Sequence, residues 1–121
     1  MKHPESLILY VENVDTSARF FHVLFAAPIV EQSVNFAMLI LPGGLGLGLW
    51  QRADVKPDPL PGAAGTELVV TTATDAETEA AWAEVTRLGL PVAQKPVRLD
   101  FGYTFAVSSP DGHTIRVFNP A

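Results

Sequence analysis

The 121-residue chain has the length of one ordinary domain, and its 48% hydrophobic and 17% charged residues are typical of a globular fold. A formal net charge of −5, with no cluster of Lys and Arg, argues against nucleic acid as a partner. The chain has no cysteine, which excludes disulfides and thiolate metal sites.

The apolar runs are all shorter than the roughly 20 residues that a membrane helix needs, so the sequence predicts a soluble protein with no membrane partner. The opening residues Met1–Ser6 lack the long apolar stretch of a secretory signal. We therefore expect a cytoplasmic location.

The first half of the chain predicts a strand, a helix and three further strands. Residues 6–12 form an apolar run of strand length. Asn13 or Asp15 can cap the helix that follows, and Pro28 ends it. The later strands are predicted over residues 29–32, 36–41 and 45–51, the last two joined by the turn Pro42-Gly43-Gly44.

The second half repeats this order after a linker. Residues 53–65 contain three prolines and no periodicity, which suits neither a helix nor a central strand. A strand is then predicted over 66–72, and a helix over 76–88 that Thr74 or Asp75 caps and Gly89 ends. The remaining strands are predicted over residues 91–97, 103–108 and 114–118.

The repeated order predicts an α+β fold of two βαβββ modules in tandem, at about 6–52 and 66–121, within a single domain that spans 1–121. We expect the modules to form a curved mixed sheet around a cleft. Neither module has enough apolar surface for a stable core alone, so we also expect a homodimer.

Three stretches carry a resemblance to a known family: Leu9-Tyr10-Val11-Glu12-Asn13-Val14 with Ser17–Phe21, the run ending in Leu49-Trp50, and Ser109-Pro110-Asp111-Gly112-His113-Thr114-Ile115. With the double βαβββ order, they resemble the vicinal oxygen chelate (glyoxalase/bleomycin-resistance/dioxygenase) superfamily. Within it, Phe101-Gly102-x-Thr104-Phe105 followed by Gly112-His113-x-Ile115-Arg116-Val117 is most similar to the phenazine-antibiotic resistance proteins, which sequester an aromatic antibiotic.

The resemblance also implies where a metal ion would be held, since metalloenzymes of this superfamily place His and Glu ligands at the ends of four inward-facing strands. The corresponding positions here are Ser6, Gly48 or Leu49, Glu67 and Arg116. One carboxylate and one guanidinium cannot hold a divalent ion, because Arg has no lone pair to donate. We therefore expect no metal and no other cofactor. Glu67 and Arg116 are expected either to pair with each other or to contact a ligand, Arg116 through a bidentate bond to a carboxylate.

Aromatic residues are the other candidates for a ligand site. Trp50 ends a glycine-rich strand, so a large ring stands beside backbone of little bulk, and we expect this to leave open space against the indole face. The competing interpretation is an ordinary core residue, as we expect for Trp82. Alternate residues of a strand share a face, which adds further candidates for a cleft: Phe36, Met38, Phe101, Tyr103 and Phe105. Together these side chains suit a flat, polarisable guest.

The leading hypothesis is a binding protein, not an enzyme, that sequesters a planar aromatic small molecule, with Arg116 suited to an anionic one. The alternative is a metal-dependent glyoxalase or dioxygenase-type enzyme with a site built around Glu67 and His113. A third interpretation is an interaction or regulatory domain whose pocket its own side chains fill. The sequence has neither a nucleophile elbow nor a phosphate-binding glycine loop.

Overall fold

Strand, helix and three strands follow one another twice in the computed structural model, which describes residues 4–56, 58 and 66–120. The chain divides into two compact units, residues 1–63 and 64–121, and each contains one helix and one four-stranded mixed sheet. The α+β fold of two tandem βαβββ modules is therefore confirmed. Residues 57 and 59–65 of the predicted linker lie outside the described residues.

The first unit contains strands β1 (Ser6–Val11), β2 (Ile29–Gln32), β3 (Phe36–Ile40) and β4 (Gly46–Gln51), with helix α1 (Val14–Phe25) after β1. The sheet order is β1-β4-β3-β2, and only β1 and β4 are parallel. Alternate strand residues form the buried core under α1: Leu9, Val11, Ala37, Leu39, Leu47 and Leu49. The intervening residues therefore lie on the face that α1 leaves open.

Helix α1 begins and ends with local hydrogen bonds. The Thr16 amide donates to Asn13 Oδ1 at 2.9 Å, so Asn13 and not Asp15 is the N-cap. At the other end, Ala26 has a φ of 51°, in the left-handed region that a side chain with a Cβ disfavours. His22 Nδ1 lies 2.7 Å from the Ala27 carbonyl oxygen beside this turn.

The predicted linker starts with a short ordered turn. Arg52–Asp54 form a 3-10 turn directly after β4, and Val55 behind it is buried. The predicted linker, which starts at about residue 53, therefore begins within this turn. A single turn of three residues is too short to show helical periodicity in the sequence.

The second unit contains β5 (Glu67–Thr71), α2 (Asp75–Arg87), β6 (Val92–Leu99), β7 (Gly102–Ser108) and β8 (Thr114–Asn119). Its sheet order is β5-β8-β7-β6, with only β5 and β8 parallel. The buried residues on the α2 side of the sheet are Phe105, Val107, Ile115 and Val117. Trp82 on α2 meets the Phe105 ring edge to face, with centroids 5.4 Å apart.

Helix α2 has the ends that the sequence predicts. The Glu77 amide donates to Thr74 Oγ1 at 3.1 Å. Gly89 has a φ of 69° and, with Leu90, donates back to the last turn of the helix, the pattern of a Schellman motif. Within the described ranges, neither α1 nor α2 is long and apolar enough to cross a membrane.

A polar network ties the start of α2 to the sheet. Asp75 accepts hydrogen bonds from Asn119 Nδ2, at 2.8 Å, and from Arg98. The Asn119 hydrogen bond, followed by the Arg98 guanidinium, lowers the pKa of the Asp75 carboxyl. Nearby, the Tyr103 hydroxyl donates to Glu79, which raises the pKa of Tyr103.

We predict that Ala26→Gly stabilises the protein, because glycine adopts a positive φ without steric cost. The free energy of unfolding should rise by about 0.5–1 kcal/mol, measured by urea denaturation. Ala27→Gly is the matched control: Ala27 is 1% exposed, so the loss of its methyl group should lower stability. If the free energy of unfolding of Ala26→Gly were unchanged or lower, the positive φ of Ala26 would carry no steric cost.

We predict that the contribution of Asp75 to stability depends on pH. Since the folded-state pKa of this carboxyl is lowered, its stabilisation is fully present above the unfolded pKa of about 3.9 and is lost as the pH falls through the folded value. The stability difference between wild type and Asp75→Asn should therefore be constant above about pH 5 and shrink below about pH 4. Urea denaturation across that range measures it. Asp54→Asn, at an exposed aspartate of the first unit, should show no such narrowing.

Candidate functional site

Three aromatic residues lie side by side on the open face of the first sheet. Trp50 on β4 pairs directly with Tyr10 on β1 and with Phe36 on β3. The Tyr10 and Trp50 rings meet edge to face, with centroids 6.4 Å apart. All three residues are partly exposed. This aromatic row, Tyr10, Trp50 and Phe36, gives the sheet an accessible surface suited to a flat ring.

The glycines beside the aromatic row do not leave the open space that the sequence predicts at Trp50. A Cβ placed on Gly48 would lie 3.0 Å from Ile8 Cγ1 and 3.1 Å from Phe36 Cζ. The side chains of Ile8 and Phe36 therefore lean over the Gly48 backbone and fill that space. Because glycine has no side chain, its cross-strand neighbours can pack directly against its backbone.

Open space lies further along the same face, at the turn between β3 and β4. A cavity of about 720 Å³ is found there, within the size range of small-molecule sites. Its walls include Ser6, Met38, Ile40 and the glycine-rich residues 43–46. The structure therefore brings together three of the predicted ligand-binding residues in the first unit, with Met38 in the cavity wall and Phe36 and Trp50 in the aromatic row.

Arg116 is the centre of a hydrogen-bonded group on the open face of the second sheet. Its Nε and Nη2 donate to the two oxygens of Glu67, at 2.9 and 3.4 Å, and its Nη1 donates to Gln94 Oε1 at 3.0 Å and Thr104 Oγ1 at 3.2 Å. The Phe101 ring lies over the guanidinium, 5.5 Å from its centroid to Cζ. We call these five residues the arginine cluster.

The sequence leaves open whether Glu67 and Arg116 pair with each other or contact a ligand. Glu67 and Arg116 form an ion pair, and only 18% of the Arg116 side chain is exposed, against 44% for Glu67. Four of the five N–H groups of Arg116 are already in hydrogen bonds, and Glu67 compensates its charge. A ligand carboxylate would bind Arg116 bidentately only by displacing Glu67.

The donors on the described part of the chain do not come together as a metal site. In residues 4–56, 58 and 66–120, no three His, Cys, Asp or Glu side chains come close enough together to hold one. Glu67 directs both of its oxygens toward Arg116, and the backbone of His113 is held in the hairpin by a 3.0 Å bond from its amide to Ser109 Oγ. A divalent ion needs three or four ligands, so Glu67 and His113 are too few.

Two of the predicted ligand-binding residues do not lie on the open face of the second sheet. Tyr103 and Phe105 point toward α2, where Tyr103 bonds to Glu79 and Phe105 packs fully buried against Trp82. The structure therefore separates these two residues from the arginine cluster, because successive residues of β7 face opposite sides of the sheet and theirs is the side away from Arg116. In the second unit, the structure groups Glu67, Phe101 and Arg116.

Reasoning from the sequence misses three residues of the aromatic row and the arginine cluster: Tyr10, Thr104 and Gln94. Thr104 stands in the stretch 101–105 that carries the family resemblance, but it is not among the predicted ligand-binding residues. Tyr10 lies beside Trp50 because β1 pairs in parallel with β4. The double βαβββ order includes this pairing, and it is the signal that could identify Tyr10. No comparable signal in the sequence identifies Gln94. It lies opposite Ala106, on the face of Arg116, because of a register shift between Val92 and Gln94.

Comparison with known proteins gives a consistent result. A family model described as the Glyoxalase/Bleomycin resistance protein/Dioxygenase superfamily matches residues 3–117. The phenazine antibiotic resistance protein EhpR from Enterobacter agglomerans is 25% identical over 115 residues, which are 94% of this chain and 89% of that protein. These matches confirm the resemblance inferred from the sequence.

Solved structures show the same fold. A protein from Agrobacterium tumefaciens, solved in solution by NMR, is 36% identical with a TM-score of 0.83, over 100% of this chain and 99% of that one. A lactoylglutathione lyase crystal structure, also from Agrobacterium tumefaciens, is 20% identical with a TM-score of 0.74, over 98% of this chain and 94% of that one. The second likeness concerns the fold alone.

We predict that the Glu67–Arg116 pair is energetically coupled. A double-mutant cycle of Glu67→Gln and Arg116→Met, followed by urea denaturation, should give a coupling of about 1 kcal/mol that decreases in concentrated salt. The matched control is the more exposed i,i+3 pair of Glu84 and Arg87 on α2, whose coupling should be smaller. Equal coupling in the two pairs would show that partial burial adds nothing to the ion pair in the cluster.

Proposed function

The chain belongs to the glyoxalase/bleomycin resistance protein/dioxygenase superfamily, and from that premise we propose that it binds and sequesters a planar aromatic small molecule without a metal ion. The aromatic row is the observation that carries the proposal. Its three rings are aligned by strand pairing and partly exposed, and a cavity of about 720 Å³ lies further along the same face. The relative from Enterobacter agglomerans is named for resistance to phenazines, which are planar tricyclic compounds.

The free energies of stacking and of burial, compared below, indicate that the ligand contacts more of the open face of the first sheet than Trp50 alone. Stacking of two aromatic rings contributes about 1 kcal/mol beyond the burial of area, whereas micromolar affinity requires about 8 kcal/mol. Burial of roughly 200 Å² of apolar surface adds about 5 kcal/mol before the entropic costs of association. A tricyclic ligand would therefore contact both the aromatic row and apolar side chains such as Met38.

The hydrogen bonding of Glu67 supports binding over catalysis. A metal-dependent enzyme of the glyoxalase or dioxygenase type would need this carboxylate as a ligand to the ion. Here the Arg116 guanidinium occupies both of its oxygens, and a positive group at that position opposes a second cation.

We also propose that two chains associate. Apolar side chains on the open face of the second sheet are exposed, among them Val69 at 53% and Phe101 at 44%. Covering such side chains is favourable by the hydrophobic effect. Sedimentation equilibrium, with and without ligand, would give the number of chains in the assembly.

We predict that a phenazine binds at Trp50. Calorimetric titration with phenazine-1-carboxylate should show saturable binding, and Trp50→Leu should weaken it at least about tenfold, since the indole supplies the stacking surface. Trp82→Phe is the matched control, because Trp82 packs against Phe105 under the second sheet, and it should leave the affinity within about threefold. Wild-type affinity in Trp50→Leu would rule out the aromatic row as the site.

The metal-dependent alternative is tested on the same samples. Affinity for the phenazine should be unchanged after treatment with a chelator and after addition of zinc or manganese. The proposal fails if the purified protein holds a stoichiometric metal ion whose removal abolishes binding, or if the metal-loaded protein turns over a hemithioacetal of the glyoxalase type.

A further inference from the structure

We propose that Arg52 binds the carboxylate of an anionic ligand whose rings lie on the aromatic row. The inference rests on the proposed function and narrows its ligand class to planar aromatic acids. It also assigns to a residue of the first unit the ligand contact that the sequence suggests for Arg116. A planar ligand of the same outline that lacks the negative charge binds less tightly.

Arg52 adjoins the aromatic row within the first unit. It follows Trp50 by two residues, directly after β4, and its Cζ lies over the Tyr10 ring, 6.0 Å from the ring centroid. Tyr10 in turn meets Trp50 edge to face. Because Tyr10 contacts both side chains, a substituent at the edge of a ring stacked on the indole can reach the guanidinium.

The backbone of Arg52 is fixed by the turn that it begins. In the 3-10 turn Arg52–Asp54, the Val55 amide donates to the Arg52 carbonyl oxygen at 3.2 Å. Val55 itself is buried and anchors the turn in the core. The Arg52 side chain therefore starts from a defined point beside the aromatic row, although 45% of it is exposed. Less conformational entropy is lost when such a side chain binds a ligand than when a mobile loop must first become ordered.

The guanidinium of Arg52 is available for a further partner. Glu12 is its ionic partner among the described residues, but the Glu12 Oε1 atom lies 3.7 Å from Arg52 Nε, beyond hydrogen-bond distance. The Glu12 side chain is 77% exposed, and such ion pairs contribute little to stability. In the described part of the chain, no oxygen accepts a hydrogen bond from the Arg52 guanidinium. Its planar fork can therefore donate two parallel hydrogen bonds to a ligand carboxylate.

The other arginines considered for this role are less suited to it. Arg116 is mostly buried and already bonded to Glu67, which a ligand carboxylate would have to displace. Arg19, the other arginine of the first unit, lies on α1 and so on the covered side of the first sheet. Arg52 therefore combines contact with the aromatic row and unused hydrogen-bond donors.

The test compares phenazine-1-carboxylate with phenazine-1-carboxamide, a neutral ligand of nearly the same shape. In calorimetric titrations, the wild-type protein should prefer the carboxylate, and Arg52→Met should reduce this preference by about threefold to tenfold. That range lies between the effects of an exposed ion pair and of a charged hydrogen bond. Affinity for the carboxamide should change by less than about threefold. Arg19→Met, the matched control, removes the same charge from an exposed position on α1 and should keep the preference.

Glu12→Gln separates ligand binding by Arg52 from a purely structural role. If Arg52 binds the carboxylate, removal of the competing Glu12 charge should strengthen binding of phenazine-1-carboxylate by about twofold to threefold, opposite to the effect of Arg52→Met. If Arg52 only holds the end of β4 through its ion pair, both variants should weaken both ligands alike. Concentrated salt should reduce the preference of the wild type and have less effect on that of Arg52→Met.

The outcomes separate this inference from the proposed function. If both ligands bind and the wild type has no preference, or Arg52→Met keeps it, Arg52 does not bind the carboxylate and the inference is wrong. The same follows if Arg19→Met loses the preference to the same extent, or if Glu12→Gln and Arg52→Met weaken both ligands alike. If neither ligand binds the wild-type protein, the proposed function fails and the inference fails with it.

Discussion

Side chains alternate between the two faces of a β-strand, and in each unit α1 or α2 covers only one face of a four-stranded sheet. Every functional feature of the molecule depends on this division. On β4, the odd-numbered Leu47 and Leu49 enter the core, which leaves Trp50 on the open face. On β8, Val117 is buried and Arg116 is turned to the other side. A shift of one residue in the pairing register of either strand would turn its core residues to the open face and its candidate site residues into the core.

In the second sheet, the cation among the polar side chains is the guanidinium of Arg116, paired with Glu67, and not a metal ion. Its guanidinium is held by carboxylate, amide and hydroxyl oxygens, the same kinds of donor that bind hard cations. A fixed organic cation needs no ion from solution, and it neither polarises a substrate as a Lewis acid nor activates water. This chemistry of the second unit supports the proposal that the protein binds its ligand without a metal ion.

The order of the elements and their ends can be predicted from the sequence because they depend on local signals. Asn13, Thr74 and Gly89 cap their helices through neighbours a few residues away. The site depends on pairing between distant strands, and there the sequence is less informative. Tyr103 and Phe105 face α2, although the spacing predicts them in the cleft, and Phe36 leans over the backbone of Gly48. Gln94 could not be found at all, since a bulge changes the alternation on which such reasoning relies.

The irregular course of β6 also affects how the protein meets its neighbours in solution. As the last strand of its sheet, β6 has one row of backbone groups that pairs with no other strand in the described residues, the kind of template on which another polypeptide can add. Its two bulges, together with Pro96, which lacks an amide proton, and the exposed Lys95, interrupt that row. The distortion that places Gln94 beside Arg116 therefore also interrupts the edge on which another polypeptide could add.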